Sequence, residues 1–400
     1  MKRLRALVLS TERSRGALSA VRSLRQSGWT VGVGTPTAHG MLSASRAVSA
    51  AHLVPKPRGQ ARDFVAATNQ AIAAGGYDVL FGGTDDFMAA LSAYRGDLDA
   101  AVAHPDYPAV RSALDKLELT RLAGEVGLSA PRTHAATDDL RRSWRGAVVV
   151  KCRSHWTPGR TKAHRIETKL YPDMDSAWPR IEHIRAAGEE AIVQEAIDGR
   201  LSALIGVYRD GRLDARVQQE ASAVWPIPSG VSTRAVTVPV DADLARRSEA
   251  LLERLGWSGL VELQFLTGAD GLPRLIDLNG RFFGSMSLTN AARPGVPDLW
   301  GRWTLGGPVD PLSDAPPGHR YTWLAGDLRR ARVERRGGLA RDLLGTLRWA
   351  SSATDSVLSV RDLPPALQLV TDRFTREDAV DPGAPAEVRH GTRLAPGCAT

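Results

Sequence analysis

Two runs, VELQFLT and LPRLIDLN, separated by Gly268, Asp270 and Gly271, constrain the fold of this 400-residue chain more than any other feature. Both alternate apolar and polar residues with a period of two, the pattern of strands with one buried face, and turn-forming residues lie between them. The pattern predicts a β-hairpin over residues 261–284. Alternation sorts its faces: Val261, Leu263 and Phe265 point one way and Glu262 and Gln264 the other, while Asp277 and Asn279 separate from Ile276 and Leu278. A turn centred on Ala269 and Asp270 places Glu262 directly opposite Asp277. Like charges facing each other across a strand pair destabilise it by about 0.2–1 kcal/mol unless a cation lies between them. Two carboxylates and an amide oxygen are hard donors of the kind that hold Mg²⁺ beside phosphates. A solvated hairpin edge, polar simply because its outer face is wet, accounts for the same residues without a ligand.

The length and the 43% hydrophobic content suffice for two or three domains with cores of their own. A formal charge of +8 raises nucleic acid as a partner, but only six of the 52 basic residues are lysines, at positions 2, 56, 116, 151, 162 and 169. The remaining arginines are scattered, with no recognisable nucleic-acid motif and no basic tract interleaved with aromatics, so no nucleic-acid partner is expected. In a chain that so consistently uses Arg, a retained Lys is a candidate for work that needs a compact ammonium. Cys152 and Cys398 form neither a metal-ligand spacing nor a disulfide framework, which fits a reducing cytoplasm, and Cys152 reads as a small core thiol. The apolar run after MKRLR is shorter than a signal-peptide core, and no segment approaches the ~18 apolar residues of a membrane span.

Residues 4–10, 30–34, 52–54 and 77–81 read as strands and residues 15–26 and 61–74 as helices, the alternation of a parallel α/β sheet. Neither G-x-G-x-x-G nor G-x-x-x-x-G-K-[ST] occurs. Gly82-Gly83-Thr84-Asp85-Asp86 follows a strand and opens a helix, a place for a ligand carboxylate that an ordinary strand-to-helix turn explains as well. Residues 107–126 read as one helix stopped by Gly127. Residues 147–150 read as a strand ending at Lys151, and 191–197 as another closed by Asp198 and Gly199. Asp210-Gly211 joins residues 201–208 and 213–219 as a hairpin. After Gly306 come a Gly/Pro/Asp-rich stretch, Arg-rich helices over residues 323–349 and, from about Asp381, a tail with few core-forming residues.

Asp277-Leu278-Asn279-Gly280-Arg281, preceded by Glu262 on the neighbouring strand, resembles the closing hairpin of the ATP-grasp superfamily of carboxylate-amine and carboxylate-thiol ligases. The resemblance covers residues 1–305, with its parts in order. It implies a mixed α/β and α+β fold: a Rossmann-like domain over residues 1–108 and an ATP-grasp domain of two α+β subdomains over residues 109–305. A mostly helical extension with a flexible tail, over residues 306–400, would follow. Lys116 and Lys151 would bind ATP phosphates. Gln194 or Glu195 would accept from the adenine amine, with the Ile197 amide on the ring. Glu262, Asp277 and Asn279 would hold Mg²⁺, with Mn²⁺ as the alternative ion, and Arg281 would stabilise the transferring phosphoryl group.

Arg234, after the stretch Trp225-Pro-Ile-Pro-Ser-Gly, stands where relatives place an arginine toward the acceptor. The chain departs from the family in two places. The loop from Cys152 to Arg160 has only Gly159 where a Gly-rich cover is usual, and no acid for the ribose follows Gly199. The implied enzyme is an ATP-grasp ligase joining a small-molecule carboxylate to an amine or other nucleophile, without nucleic acid or membrane and compatible with a homodimer. A small-molecule kinase and a nucleotide-binding module without turnover stay open. His155 and His164 flank the loop, and surface histidines explain them equally.

Overall fold

Val- and Leu-rich runs without polar alternation are the mark of strands buried on both faces, and the first third of the chain is built from them. A computed structural model describes residues 3–37, 39–154, 158 and 168–377. Strands β1 (Arg5–Leu9), β2 (Thr30–Thr35), β3 (Ala50–Leu53), β4 (Val79–Gly82) and β5 (Ala101–Val102) form one parallel sheet in the order β3-β2-β1-β4-β5. Helix Arg15–Gln26 covers one face, with Ser14 accepting from the Ala17 amide as its N-cap. Helices Ala61–Gly75 and Asp85–Ala93 contribute Phe64, Phe87 and Leu91 to the core on the other face. This is the Rossmann-like arrangement expected.

A second, antiparallel sheet contains β6 (Thr133–Ala135), β7 (Val148–Cys152), β8 (Lys169–Tyr171) and β9 (Ala191–Glu195), in the order β6-β9-β7-β8. Val148 and Val150 pack with Trp178, Ile181 and Ile184 on one face, so Val149 and Lys151 point to the other. The largest sheet holds β10 (Arg200–Arg209), β11 (Arg212–Trp225), β12 (Val231–Val238), β13 (Gly259–Thr267), β14 (Pro273–Asn279), β15 (Arg320–Thr322) and β16 (Thr354–Asp355). Its order is β14-β13-β10-β11-β12-β15-β16. Asp210 and Gly211 both have positive φ, 51° and 82°, the backbone a two-residue hairpin turn requires.

Two expectations are corrected. The helix over residues 107–126 is two helices, Tyr107–Leu114 and Lys116–Glu125. Asp115 is extended between them, and its carboxylate accepts from the amides of Leu117 and Glu118, a cap that contributes about 1 kcal/mol. The hairpin register is shifted: Glu262 pairs with Asn279 and Gln264 with Asp277, because the loop spans residues 268–272 and a bulge follows at Ile276. Asp277 is therefore diagonal to Glu262. Arg234 lies within a strand, β12.

The described part of the segment beyond residue 305 is mostly helical, as expected, with two short strands. It adds β15 to the free edge of β12 and β16 to β15, beside helices Leu324–Glu334, Leu339–Ala350 and Pro364–Glu377. Ala315 and Val357 enter the core shared by the first and largest sheets, along with Phe282, Phe283 and Trp300. Among the described residues no helix is long and apolar enough to cross a membrane.

Candidate functional site

The hairpin's polar face is buried where it meets the rest of the chain. Glu262 is only 2% exposed. One of its oxygens accepts from Asn279 Nδ2 at 2.8 Å and Gln264 Nε2 at 3.0 Å, and the other lies 3.5 Å from Ser285 Oγ. Burial pushes the Glu262 carboxyl up to about 7. The charge of Arg281 and the two amide donors pull it back, while Asp277 pushes it further up. No arginine or lysine among the described residues is ion-paired with it.

Arg281 is fixed from two sides. Its Nη2 donates to Asn279 Oδ1 at 2.8 Å and its Nε to Asp85 Oδ1 at 3.0 Å. Burial works against its charge, yet Asp85, Glu262 and Asp277 raise its pKa above the usual arginine value. Asp85 opens helix Asp85–Ala93 directly after β4, so the Gly82–Asp86 turn serves here to hold Arg281. A second tie runs alongside. His104 accepts from the Gly82 amide through Nε2 at 2.7 Å, and its Nδ1 lies 3.0 Å from the Gly280 carbonyl. Burial lowers its pKa to about 3, which keeps it neutral, so Nδ1 carries the proton toward Gly280. Gly280 has no room for a side chain, since a Cβ there would collide with the Trp257 ring.

Lys116 begins its helix immediately after the Asp115 cap and is 4% exposed, with its ammonium ion-paired to Asp277. Arg153 binds Asp115 at 2.9 Å, and its carbonyl accepts from the Lys116 amide at 3.1 Å, which joins this helix start to the end of β7. Lys151, on β7, donates to Gln194 Oε1 at 2.8 Å, and Gln194 Nε2 donates to Thr133 Oγ1 at 3.0 Å. Burial lowers the Lys151 pKa to about 8. The Lys116 charge lowers it as well, while Asp277 acts in the opposite sense. The Lys151 ammonium thus feels the charges of both members of the Lys116–Asp277 pair. Among the described residues Lys151 has no carboxylate partner.

The structure thus brings together Lys116, Lys151, Gln194, Glu262, Asp277, Asn279 and Arg281. Glu195 closes β9 and its carboxylate faces the backbone amide and guanidinium of Arg132 at 3.3 and 3.4 Å. Ile197 lies past the strand end, and among the described residues its amide has no hydrogen-bond partner. Arg234 is elsewhere. It is three strands from β13, with Nε on Asp327 at 2.7 Å, Nη2 on Thr346 at 3.0 Å and its guanidinium over Trp349. His104 and Ser285 are site neighbours that the sequence reading did not name; it placed Asp85 only in a strand-to-helix turn and Gln264 only on the hairpin's polar face. Apart from Pro158, residues 155–167 of the loop after Lys151, including His155, Gly159 and His164, lie outside the described residues, as do Cys398 and the tail from residue 378. Among the described residues no three His, Cys, Asp or Glu side chains cluster to hold a metal by themselves, so a metal here would depend on Asn279 and substrate oxygens.

A family model described as ATP-grasp in the biosynthetic pathway with Ter operon matches residues 216–326, from β11 through β15. No curated protein matches the sequence. Among solved structures, the L-amino acid ligase from Bacillus licheniformis superposes with a TM-score of 0.59 at 12% identity, over 78% of this chain and 76% of that one. N5-carboxyaminoimidazole synthetase from Staphylococcus aureus, complexed with ADP, gives 0.60 at 10% identity over 80% and 82%. The biotin carboxylase domain dimer of the Hydrogenobacter thermophilus 2-oxoglutarate carboxylase, in complex with MgADP, ADP and bicarbonate, gives 0.59 at 11% identity over 78% and 73%. At these identities the likeness establishes the shared fold.

Proposed function

We propose that this chain, a member of the ATP-grasp superfamily, is an ATP- and Mg²⁺-dependent ligase that activates a carboxylate for attack by an amine or similar nucleophile. The observation that carries the reading is the convergence of two lysines and two acids from one helix and two sheets: Lys116 paired with Asp277, Lys151, which has no carboxylate partner among the described residues, and the buried Glu262. A buried carboxylate with amide donors but no ion pair is suited to a cation, and the donor set of Glu262, Asp277 and Asn279 is one that Mg²⁺ accepts. When bound by those three residues, Mg²⁺ would neutralise charge on the nucleotide phosphates.

The chain's own residues take the remaining roles. Lys151, oriented by Gln194, holds phosphate oxygens, and Lys116 does so from the helix start while keeping Asp277 in place. The Gln194 side chain is committed to Lys151 and Thr133, which leaves the adenine amine to Glu195 and the ring to the Ile197 amide. Arg281, braced by Asp85 and Asn279, stabilises the γ-phosphoryl group as it moves. A carboxylate oxygen attacks the γ-phosphorus, the bond to the β-phosphate oxygen breaks, and ADP leaves. The nucleophile then adds to the acyl carbon, loses its proton, and phosphate departs with the bonding pair. Arg234 is bound into the packing of the C-terminal helices and has no part in this scheme.

The test is nucleotide analysis of reactions containing ATP, Mg²⁺, pooled carboxylates and pooled amines, alone and together. ADP and free phosphate in equal amounts, released only when both pools are present, is the expected result. AMP overturns the acylphosphate route, and ADP without free phosphate identifies a kinase.

A further inference from the structure

Arg15 is not neutralised in the way that several arginines around the first and largest sheets are. Arg281 is paired with Asp85, Arg22 with Asp362, Arg58 with Asp86 and Arg234 with Asp327. Among the described residues Arg15 has no carboxylate partner. Its guanidinium is held all the same: Nη1 donates to the Tyr321 hydroxyl at 3.0 Å, and its Cζ lies over the Trp323 ring, 3.9 Å from the centroid. A stacked guanidinium fixed at one nitrogen has lost its rotamer freedom before any anion arrives, and its remaining donors form a fork that matches a carboxylate.

The surroundings favour an anion. Arg15 is the first residue of helix Arg15–Gln26, whose first turn contains no acid, so the positive end of the helix adds to the guanidinium charge. The helix start is pressed against the loop that follows Arg281. A Cβ on Gly16 would collide with the carbonyls of Phe282 and Phe283, and one on Gly284 would lie 3.2 Å from Arg15 Nη2. Tyr321 bridges the two, accepting from Arg15 and donating to the Gly284 carbonyl at 3.1 Å. The next residue, Ser285, lies 3.5 Å from Glu262. This corner also lies at the carboxyl ends of β1 and β4, where the strand order of the first sheet reverses and open α/β sheets bind ligands.

We infer that Arg15 recognises a substrate carboxylate other than the one that is phosphorylated, so that one of the two substrates carries a spectator carboxylate. Arg281 already faces the reacting end beside Asn279, and a second cation locked onto the reacting carboxylate would blunt its attack. The spectator group belongs either to an amino acid acting as the nucleophile or to a dicarboxylic acid acting as the donor. The inference rests on the ligase reading above for the identity of the neighbouring site.

Binding of matched probes tests it without turnover. Wild-type protein saturated with MgADP is titrated with L-alanine and L-alaninamide, and with succinate and succinamate, following the melting temperature. Each pair differs by one carboxylate. The expected result is a rise with L-alanine but not its amide, which identifies the amino acid, or with succinate well above succinamate, which identifies the diacid. Arg15→Gln is expected to weaken the binding probe by about tenfold to a hundredfold, the worth of a charge-assisted pair, with Arg15→Lys in between. The rise caused by MgADP itself stays unchanged in both variants, which shows that they fold. Equal binding of acid and amide, no binding by any probe, or Arg15→Gln behaving as wild type overturns the inference. A wild type that does not respond to MgADP overturns the ligase reading instead.

Discussion

Arg330 and Glu262 are both buried charges, one in the helices after residue 320 and one in β13, and their surroundings are completed differently. Arg330 donates to Asp327 at 2.6 Å, Glu334 at 2.7 Å and Asp342 at 2.9 Å. Asp327 also takes Arg234, and Glu334 also takes Arg336. Three arginines meet three acids, and the Arg330 guanidinium holds Asp342 below the usual carboxylate range. Around Glu262 the same residue types stop short of closure. Among the described residues Glu262 has amide donors but no ion pair, and Lys151 has an amide acceptor but no acid. A closed network fixes a scaffold, whereas an open one is finished by something that binds.

The largest effect that can break this comparison is at the open cluster. Glu262→Gln with Asp277→Asn is expected to abolish the Mg²⁺-dependent part of nucleotide stabilisation and to lower turnover by about 10³-fold, the scale of losing preorganised charge at a reacting group. Melting curves with ADP, with and without Mg²⁺, check the first point; unchanged curves would make the hairpin purely structural.

Next comes the closed cluster. Arg330→Met takes a shared partner from three acids, two of them almost fully buried, and should cost about 3–5 kcal/mol in urea denaturation while leaving the nucleotide dissociation constant unchanged. Arg234→Gln should cost less, about 1–3 kcal/mol, again without an effect on substrate binding. A loss of nucleotide affinity in either variant would erase the distinction between the clusters.

The smallest effect separates them by pH. Lys151 titrates at about 8 in the folded protein against an ordinary 10.5. Between those values the unfolded chain holds more protons than the folded one, so stability at this group rises with pH across that window. Below it the ammonium stays charged and buried, available to phosphate. Nucleotide affinity should therefore fall by up to tenfold per unit as pH rises above about 8, and Lys151→Arg should flatten the fall in a calorimetric titration. The Arg330 cluster has the same sign in a different window, the acidic one. Asp342 is depressed, so its stabilisation is present above the ordinary carboxylate range and is lost as pH falls through its lowered pKa.

The parts of the fold written in short-range signals were legible. Helix Arg15–Gln26 has its Ser14 cap, and the turn at Asp210 and Gly211 has its positive-φ backbone. The break at Asp115 was not, because the apolar periodicity runs straight through it and only the capping bonds reveal two helices. Nor was the hairpin register, since a bulge at Ile276 preserves the alternation on both sides while shifting every pair beyond it. Strands as short as β15 and β16 carry almost no periodicity at all. In the site, the motif residues and the two rare lysines come together, but their supports come from distant sequence. Asp85 is 196 residues from Arg281, and His104 is 176 from Gly280. The partners of Arg234 were not legible either, since Asp327 and Thr346 lie about a hundred residues later.

The way the chain's end closes over its beginning bears on how the protein is made. Helix Arg15–Gln26 packs against helix Met286–Ala292, with Asn290 bonded to Ser19 across 271 residues, and Arg22 reaches Asp362 across 340. A nascent chain leaves the ribosome at about 5–20 residues per second, so the first helix waits for many seconds before its cover exists. During that interval its outer face has no cover, and a pause or truncation before residue 290 leaves it there for a chaperone or a protease to find.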